Sequence, residues 1–289
     1  MTRHFLTGEE LRSDELSRLV DRAIELKADR LASRALEGKS VALVFELAST
    51  RTRVSFEVGV FELGGHPLVL REGEMQLSRG ESPRDTALVL SRMVHAIAVR
   101  TASQETVEAL AAHGSVPVIN MLTSEHHPCQ ALADLVTLHE RFGRLQGLRV
   151  AYVGDGNNMA RSLRRVGALA GVDVVVSSPA ELALPEARPT PIEEAVQGAH
   201  ALYTDVWVSL ADDPAEADRK RTLLAPYRLD EALLARAAGE AIVMHCLPAH
   251  PGEEISEGVL YGERSAAWDQ AENRLHAQKA LLELLVGAK

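Results

Sequence analysis

Short apolar segments alternate with segments of helical spacing along most of this 289-residue chain. The apolar segments are rich in Val, Ile, Leu and Ala, which is typical of strands buried on both faces of a sheet. They are Val41–Phe45, His66–Leu70, Ala96–Val99, Pro117–Met121, Val150–Val153, Val172–Val176, Ala201–Thr204 and Ile242–Met244. Strands that alternate with helices in this way predict an α/β fold with mostly parallel sheets.

Glycines divide the repetition into two rounds, because the pattern breaks at Gly143 and Gly147 and then begins again. The chain length also favours two domains over one. We therefore predict two doubly wound parallel-sheet domains, residues 1–142 and 143–270, with a cleft between them. Helical spacing further predicts a first helix over Leu11–Leu36 and a last amphipathic helix over Ala266–Val286.

The composition excludes several classes of protein. The formal net charge of −10 argues against binding of nucleic acid, which needs Lys and Arg clustered on one face. No uncharged segment is long enough to cross a membrane, and residues 1–10 lack the apolar core of a signal peptide. Cys129 and Cys246 follow no metal or disulfide spacing, so both are predicted to stay reduced. We expect a cytoplasmic protein that uses no metal ion and no other cofactor.

The segment Ser49-Thr50-Arg51-Thr52-Arg53 follows the first predicted strand and begins a helix. The unpaired N–H groups of a first helical turn, together with hydroxyl groups and an arginine fork, form a good phosphate site. The alternative is a serine N-cap followed by two arginines on the surface.

Two further side chains of the first domain stand at a strand end or a helix start. Arg100 closes the strand Ala96–Val99, where parallel sheets bind ligands, although a single Arg in a loop is commonly a surface residue. His127 precedes Pro128 and therefore lies near a helix N-cap, where the positive helix end lowers the pKa of the ring. A neutral imidazole can polarise a carbonyl oxygen; the alternative is a histidine that only caps the helix.

In the second domain, Gly154-Asp155-Gly156-Asn157-Asn158 joins a strand to a helix, like a nucleotide-binding turn. Met159 replaces the third glycine of that motif, and the next strand is not followed by the acidic residue that binds a ribose. A nucleotide-dependent oxidoreductase is therefore a remote alternative. We interpret the turn as a close approach to some other polar ligand.

Two more segments of the second domain place polar groups after strands. Asp205 begins Asp-Val-Trp-Val-Ser, where a carboxylate suits an ammonium ligand; the alternative is an Asp-capped turn with Trp207 in the core. The thiol of His245-Cys246-Leu247-Pro248 can be reactive near cations, although a buried inert cysteine is more common. His245 and His250 lack a third metal ligand at usable spacing.

Six motifs, in their order along the chain, resemble the aspartate/ornithine carbamoyltransferase family. They are Ser-Thr-Arg-Thr-Arg, His-Pro-x-Gln, Gly-Asp-Gly-Asn-Asn, Asp-Val-Trp-Val-Ser, His-Cys-Leu-Pro and Asp-Gln-Ala-Glu-Asn-Arg, the last at Asp269 to Arg274. The resemblance runs from about Phe5 to the C-terminus. It implies transfer of a carbamoyl group from carbamoyl phosphate to an amine.

The resemblance implies a role for each matching residue. The residues implied to bind carbamoyl phosphate are Ser49, Thr50, Arg51, Thr52, Gln76, Arg100, His127, Gln130, Cys246, Leu247 and Arg274. Those implied to bind ornithine are Asn158, Asp205, Ser209 and Leu210. Those implied to act in catalysis are Arg51, Arg100, His127, Asp205 and Cys246. Arg53, by contrast, is expected to be structural.

The resemblance also implies an arrangement of the chain. The first domain is expected to bind carbamoyl phosphate and the second to bind ornithine, with a C-terminal helix, 271–289, that packs back on the first domain. The implied assembly is a homotrimer, or a multiple of it, in which Gln76 reaches the active site of a neighbouring subunit.

The acceptor amine is less constrained than the carbamoyl donor. Asp205 and the His-Cys-Leu-Pro segment favour ornithine over aspartate, for which basic residues are expected. Putrescine, N-acylated ornithine and a non-catalytic paralogue that binds carbamoyl phosphate are the alternatives. Three departures from the family pattern bear on them: Leu47 where Lys is common, Leu210 where Met is usual, and a short stretch from Ser177 to His200. The short stretch predicts the loss of a helix and a strand.

Overall fold

The computed structural model describes residues 2–75, 80–208 and 214–287. The chain forms two compact units, one made of Met1–Val136 and Glu272–Lys289 and the other of Thr137–Ala271. Each unit contains a four-stranded parallel sheet. The predicted α/β fold with two parallel-sheet units is therefore confirmed. The limits predicted for the two substrate-binding domains stay a prediction.

Every predicted apolar segment becomes a strand whose ends differ from the prediction by one residue at most. The strands of the first unit are β1 (Ser40–Phe45), β2 (His66–Arg71), β3 (Ala96–Arg100) and β4 (Val118–Leu122). Those of the second unit are β5 (Arg149–Val153), β6 (Asp173–Ser177), β7 (Ala201–Thr204) and β8 (Ile242–His245). Val, Ile, Leu and Ala dominate these segments because central strands are covered on both faces.

Helices connect the strands. They are α1 (Ser13–Ala28), α2 (Thr50–Glu62), α3 (Pro83–Leu90), α4 (Gln104–His113), α5 (Pro128–Phe142), α6 (Asn158–Leu169), α7 (Ile192–Val196), α8 (Ala217–Leu224), α9 (Glu231–Leu234), α10 (Glu257–Leu260) and α11 (Ala267–Leu282). Short 3₁₀ turns occur at Ala180–Leu182, Pro214–Glu216 and Ala225–Tyr227. Among the described residues, no helix has both the length and the apolar character needed to cross a membrane.

Both sheets have the same topology. The strand order is β2-β1-β3-β4 in the first unit and β6-β5-β7-β8 in the second. In each sheet the chain first moves to one side of its first strand and then crosses to the other side. The carboxyl ends of β1 and β3, and those of β5 and β7, therefore flank the point at which α/β sheets bind ligands. Because crossovers between parallel strands are nearly always right-handed, crossovers on opposite sides of that point are expected to place helices on opposite faces of the sheet.

The described segment between β6 and β7 contains only the 3₁₀ turn Ala180–Leu182 and the five-residue helix α7. It has no strand, so β6 is the edge of the second sheet. The predicted loss of a helix and a strand from this stretch stays a prediction, and the segment does contain the short helix α7.

The first and last helices are shorter than their patterns predict. The apolar spacing continues from Leu11 to Leu36, but α1 ends at Ala28, because the Asp29 carboxylate accepts the Leu31 N–H and competes with helical hydrogen bonding. At the other terminus, α11 ends at Leu282 and the chain continues as a π-helical turn, Glu283–Gly287.

The C-terminal helix packs on the first unit, as predicted. The fully buried Lys279 donates from Nζ to Glu62 Oε2 of α2, at 2.8 Å. Lys27 of α1 donates to Asn273 Oδ1, also at 2.8 Å. Polar contacts to two different helices fix the position of α11 and its rotation about its own axis. Arg274 lies between these contacts along the helix, so they also fix the position of Arg274.

Candidate active site

The Ser49–Thr52 segment lies where β1 ends and α2 begins. Ser49 is the N-cap of α2, and its Oγ accepts the backbone N–H of Thr52 at 3.3 Å. Thr50 is exposed and Arg51 is half-buried, so both side chains are accessible at the helix start. The structure thus places the predicted phosphate-binding segment at a helix N-terminus beside the switch point of the first sheet. Arg53 pairs with Glu57 one turn later, at 3.0 Å, as expected for a structural arginine.

Three buried side chains that are far apart in sequence meet behind this helix start. Arg274 of α11 donates from Nη1 to Gln130 Oε1 at 2.9 Å and from Nη2 to the Thr52 hydroxyl. All three residues are at most 3% exposed. We call Thr52, Gln130 and Arg274 the Arg274 group. The structure therefore brings together three of the residues predicted to bind carbamoyl phosphate.

Arg100 is the last residue of β3, after a register shift between Val99 and Arg100 in the pairing with β4. Its carbonyl oxygen accepts the N–H of Glu46 at 2.9 Å, so it lies beside the loop that leads to Ser49. A shift of this kind redirects the side chain at the end of a strand. Arg100 is half-buried, as the strand-end interpretation requires.

His127 is buried directly before α5. Burial lowers the pKa of its ring well below the ordinary value of 6.5, and the positive charges of Arg274 and Arg100 lower this pKa further. The predicted neutral imidazole is therefore supported, but burial, rather than the helix end, is the main cause. The two charges also place Arg100, His127 and Arg274 in one electrostatic environment.

The pH dependence of stability tests this interpretation of His127. Its folded-state pKa lies well below the unfolded-state value near 6.5, so below that pH the unfolded state binds a proton that the folded state excludes. The stability that the neutral ring contributes is complete above about pH 6.5. As pH falls below that value, the free energy of unfolding drops by up to about 1.4 kcal/mol per pH unit. Urea titrations at several pH values should show a smaller acid loss for His127→Asn than for the wild type. Equal losses would contradict the interpretation.

Cys129, the second residue of α5, is a structural thiol. Its Sγ donates to the carbonyl oxygen of Asn120 at 3.3 Å. Burial raises the pKa of this thiol to about 12, although the charge of Arg274 opposes the shift. A thiol that is neutral and buried in this way is unreactive at neutral pH. Cys129 and Cys246 are both free thiols in the structure.

Asp205 is the centre of a second set of polar contacts, in the second unit. Its Oδ2 accepts from Asn157 Nδ2, and its Oδ1 accepts from the Cys246 thiol, both at 2.8 Å. We call Asp205, Asn157 and Cys246 the Asp205 group. The Val206 N–H also donates to Asp205 Oδ1, and Trp207 is buried. The Asp-capped turn with Trp207 in the core is therefore present. The carboxylate of Asp205 is also half-buried and lies beside other polar groups.

The sequence-based interpretation missed Asn157. Its Oδ1 accepts the N–H groups of Met159 and Ala160 as the N-cap of α6, and also the hydroxyl of Tyr152 at 3.1 Å. Because Oδ1 is fully engaged, the NH₂ group must point at Asp205. Asn158, which was predicted to bind ornithine, is the first residue of α6 and is half-buried. An asparagine before a helix indicates a cap, and no local pattern reveals its partner Asp205, the residue that follows β7.

The chain's own backbone accounts for the glycine at position 156, while the close approach of the turn to a polar ligand stays a prediction. A Cβ atom there would lie 2.4 Å from the Leu182 oxygen and 2.6 Å from the Leu184 nitrogen. The Gly156 N–H donates to the same Leu182 oxygen at 2.9 Å. The chain's own backbone therefore makes the close approach that requires glycine.

The turn after β8 presents Cys246 and Leu247. Leu247 has φ of 58°, a left-handed conformation that is unusual for a branched side chain and needs support from its surroundings. Part of that support comes from His245, whose Nδ1 accepts the Leu247 N–H at 2.9 Å. His245 Nε2 must then carry the ring proton, and it lies 3.2 Å from Oε1 of the buried Glu254.

Within the described parts of the chain, two groups of side chains hold potential metal-ligand atoms within 4.8 Å of one another: Asp205 with His245 and Cys246, and His250 with Glu253 and Glu254. Both ring nitrogens of His245 already have protein partners. Glu253 pairs with Arg221 at 3.3 Å, and Glu254 accepts from His245. These protein contacts explain the two groups without a metal ion.

Three predicted site residues lie outside the described residues. They are Gln76, Ser209 and Leu210.

Family models match nearly the whole chain. Residues 3–140 match the aspartate/ornithine carbamoyltransferase carbamoyl-phosphate-binding domain, and residues 146–285 match the aspartate/ornithine-binding domain of the same family. The chain is 52% identical to ornithine carbamoyltransferase of a Parafrankia species, over 98% of this chain and 96% of that protein. It is 48% identical to ornithine carbamoyltransferase of Methanoculleus marisnigri, over 99% of this chain and 97% of that protein.

Solved structures give the same result. The fold matches ornithine carbamoyltransferase of Pyrococcus furiosus with a TM-score of 0.94 and 42% identity, over 99% of this chain and 98% of that one. It matches the enzyme of Thermus thermophilus with a TM-score of 0.90 and 42% identity, over 99% of both chains. This chain belongs to the aspartate/ornithine carbamoyltransferase family.

Proposed function

We propose that this chain transfers the carbamoyl group of carbamoyl phosphate to the δ-amine of L-ornithine, which yields L-citrulline and phosphate. The observation that carries the proposal is identity of 52% to an ornithine carbamoyltransferase over 98% of the chain. The Asp205 group agrees with this acceptor, because a half-buried carboxylate suits the ammonium group of an amino acid.

We assign the phosphate group of the donor to the start of α2. Free N–H groups of the first turn, the hydroxyls of Ser49, Thr50 and Thr52, and the guanidinium of Arg51 supply donors to its oxygens. Gln76 is assigned to the same phosphate in a neighbouring subunit.

The carbamoyl group is assigned to the residues around the Arg274 group. Arg100 and neutral His127 donate to the carbonyl oxygen, and Gln130 Oε1 accepts from the carbamoyl NH₂ group. Arg274 adds a positive charge close to His127 and to Gln130. Donors fixed before the reaction stabilise the oxyanion that forms on this oxygen.

The second substrate is assigned to the second unit. Asp205 binds the α-ammonium group, while Asn158 and Ser209, together with the backbone of Leu210, bind the α-carboxylate. Cys246 and Leu247 line the reacting end, where the turn after β8 holds them in position.

The transfer itself needs little acid–base chemistry from the protein. The δ-nitrogen attacks the carbamoyl carbon, the carbon–oxygen bond to phosphate breaks, and the leaving phosphate takes the proton released by the amine. The amine must first lose its ammonium proton, whose pKa is about 10.4 in water. Arginines and desolvation lower that pKa, so a strong protein base is unnecessary. Alignment of the two substrates supplies much of the rate increase.

An acceptor assay tests the proposed function directly. The full chain is incubated with carbamoyl phosphate and with ornithine, putrescine, N-acetylornithine or aspartate, and the carbamoylated product is measured. We expect citrulline from ornithine to form at least about a hundredfold faster than any other product, since a buried charged pocket rejects ligands that leave it unpaired. A faster reaction with another acceptor would overturn the assignment. Binding of carbamoyl phosphate without turnover would indicate a non-catalytic paralogue.

We also propose a homotrimer, which the exposed apolar side chains of the first unit support. Large apolar residues on α2, on the edge strand β2 and on or after α3 are 38% to 71% exposed: Val54, Phe61, Leu68, Leu88, Val89 and Met93. Removing these side chains from water in an assembly would favour association. Sedimentation at micromolar concentration should give three times the monomer mass, and Phe61→Glu should shift the protein toward monomer. A wild-type monomer under these conditions would contradict the proposal.

A reducing, cytoplasmic location is proposed on the basis of the two free cysteines.

A further inference from the structure

Gln130 has a fixed amide orientation, and two side chains with opposite requirements determine it. Its Oε1 accepts from Arg274 Nη1, and its Nε2 donates to Asp134 Oδ1, each at 2.9 Å. A guanidinium has only donors, so the amide oxygen must face Arg274 and the NH₂ group must face Asp134. Gln130 and Asp134 are fully buried, one turn apart on α5. Rotation of the amide by half a turn would break both hydrogen bonds. The amide NH₂ group would then face the N–H donors of Arg274, and the amide oxygen would face the carboxylate of Asp134.

This orientation decides which chemical groups Gln130 can recognise. Its Oε1 presents an acceptor on the side of Thr52 and Arg274, where the proposed function places the carbamoyl group. The NH₂ group of carbamoyl phosphate is a donor, whereas the methyl group of acetyl phosphate has a similar size and cannot donate. An acceptor at this place therefore favours a carbamoyl group over an acetyl group.

Only one of the two partners of Gln130 is independent of the substrate. Arg274 is assigned to the substrate, so its hydrogen bond to Gln130 competes with the bound ligand. Asp134 points to the other end of the amide and has no assigned contact with either substrate. We infer that Asp134 is a positioning residue that holds Gln130 in the orientation selective for the carbamoyl amide. The inference rests on the proposed function for the site itself.

The test compares three ligands on the full-length protein. Dissociation constants for carbamoyl phosphate, acetyl phosphate and inorganic phosphate are measured by calorimetry for the wild type and Asp134→Asn. Asparagine has nearly the same shape but can donate as well as accept, so it no longer enforces one orientation. We expect carbamoyl phosphate to bind roughly tenfold more weakly, as for one buried hydrogen bond, with changes below about twofold for the other two ligands. Equal weakening of all three, or none, would contradict the inference.

Further variants separate the possible causes. Gln130→Ala should lower the preference for carbamoyl over acetyl phosphate, and Asp134→Asn added to it should lower that preference no further. If Gln130→Ala alone leaves the preference unchanged, the assignment of Gln130 to the carbamoyl amide is wrong. If Gln130→Ala lowers it but Asp134→Asn does not, the assignment stands and the inference about Asp134 fails. If Asp134→Asn does not fold, Asp134→Ser replaces it in the same test, because a serine hydroxyl can also donate or accept.

Discussion

Arg51→Ala is expected to reduce kcat/KM for carbamoyl phosphate by at least about a thousandfold, because it removes the guanidinium proposed to bind the phosphate oxygens in both ground and transition states. Arg51 lies in the first turn of α2 and is only half-buried, so its removal should leave the fold intact. Steady-state kinetics with saturating ornithine, together with binding of inorganic phosphate, measure the effect.

Arg53→Ala is the matched control for this prediction. Arg53 has the same charge, lies two residues further along the same helix, and pairs with Glu57. An exposed pair of this kind contributes less than about 1 kcal/mol to stability, and Arg53 has no assigned contact with a substrate. Its removal should change kcat/KM less than about fivefold. A loss for Arg53→Ala as large as that for Arg51→Ala would mean that the phosphate assignment rests on the wrong residue.

Asp205→Asn is expected to lower kcat/KM for ornithine by about 10² to 10³, since it removes the charge proposed to pair with the α-ammonium group. The substitution keeps the shape of the side chain, and an amide oxygen can still accept from Cys246 or Val206. Binding of carbamoyl phosphate should be nearly unchanged, because Asp205 is not among the residues expected to bind that substrate. The measurement is a full kinetic analysis in both substrates.

Asp173→Asn serves as the control in the same unit. Asp173 is an exposed carboxylate at the start of the edge strand β6, paired only loosely with Arg149 at 3.4 Å. Its loss should leave the kinetics of both substrates within about twofold of the wild type. Unchanged ornithine kinetics in Asp205→Asn would remove the basis for the proposed acceptor site.

The fold could be predicted from local patterns because each pattern reports a local cause. Val41–Phe45 is apolar throughout because β1 is central in its sheet, and Pro128 starts a helix because its fixed backbone angle suits a first turn. The same logic placed Arg100, His127 and Asp205 correctly at strand ends and helix starts. The pattern failed at Leu36, where apolar spacing continues although Asp29 has ended α1.

The partners of the site residues could not be predicted in this way. The contact of Asn157 with Asp205 spans 48 residues, and that of Arg274 with Thr52 spans 222. Arg274 entered the prediction only through the family resemblance, because no local pattern shows that α11 returns to α2. The close packing at Gly156 could not be predicted for the same reason: the atoms that exclude a side chain there belong to Leu182 and Leu184.

The return of α11 to the first unit has a consequence for biosynthesis. Thr52 and Gln130 leave the ribosome long before Arg274, and their hydrogen-bond partner exists only after the entire second unit has been translated. During that interval Thr52, Gln130 and the buried carboxylate of Glu62 lack the helix that later covers them. Contacts of such long sequence separation form late and slow the folding rate. A chain released early therefore carries the whole first sheet and still lacks the hydrogen bonds of the Arg274 group.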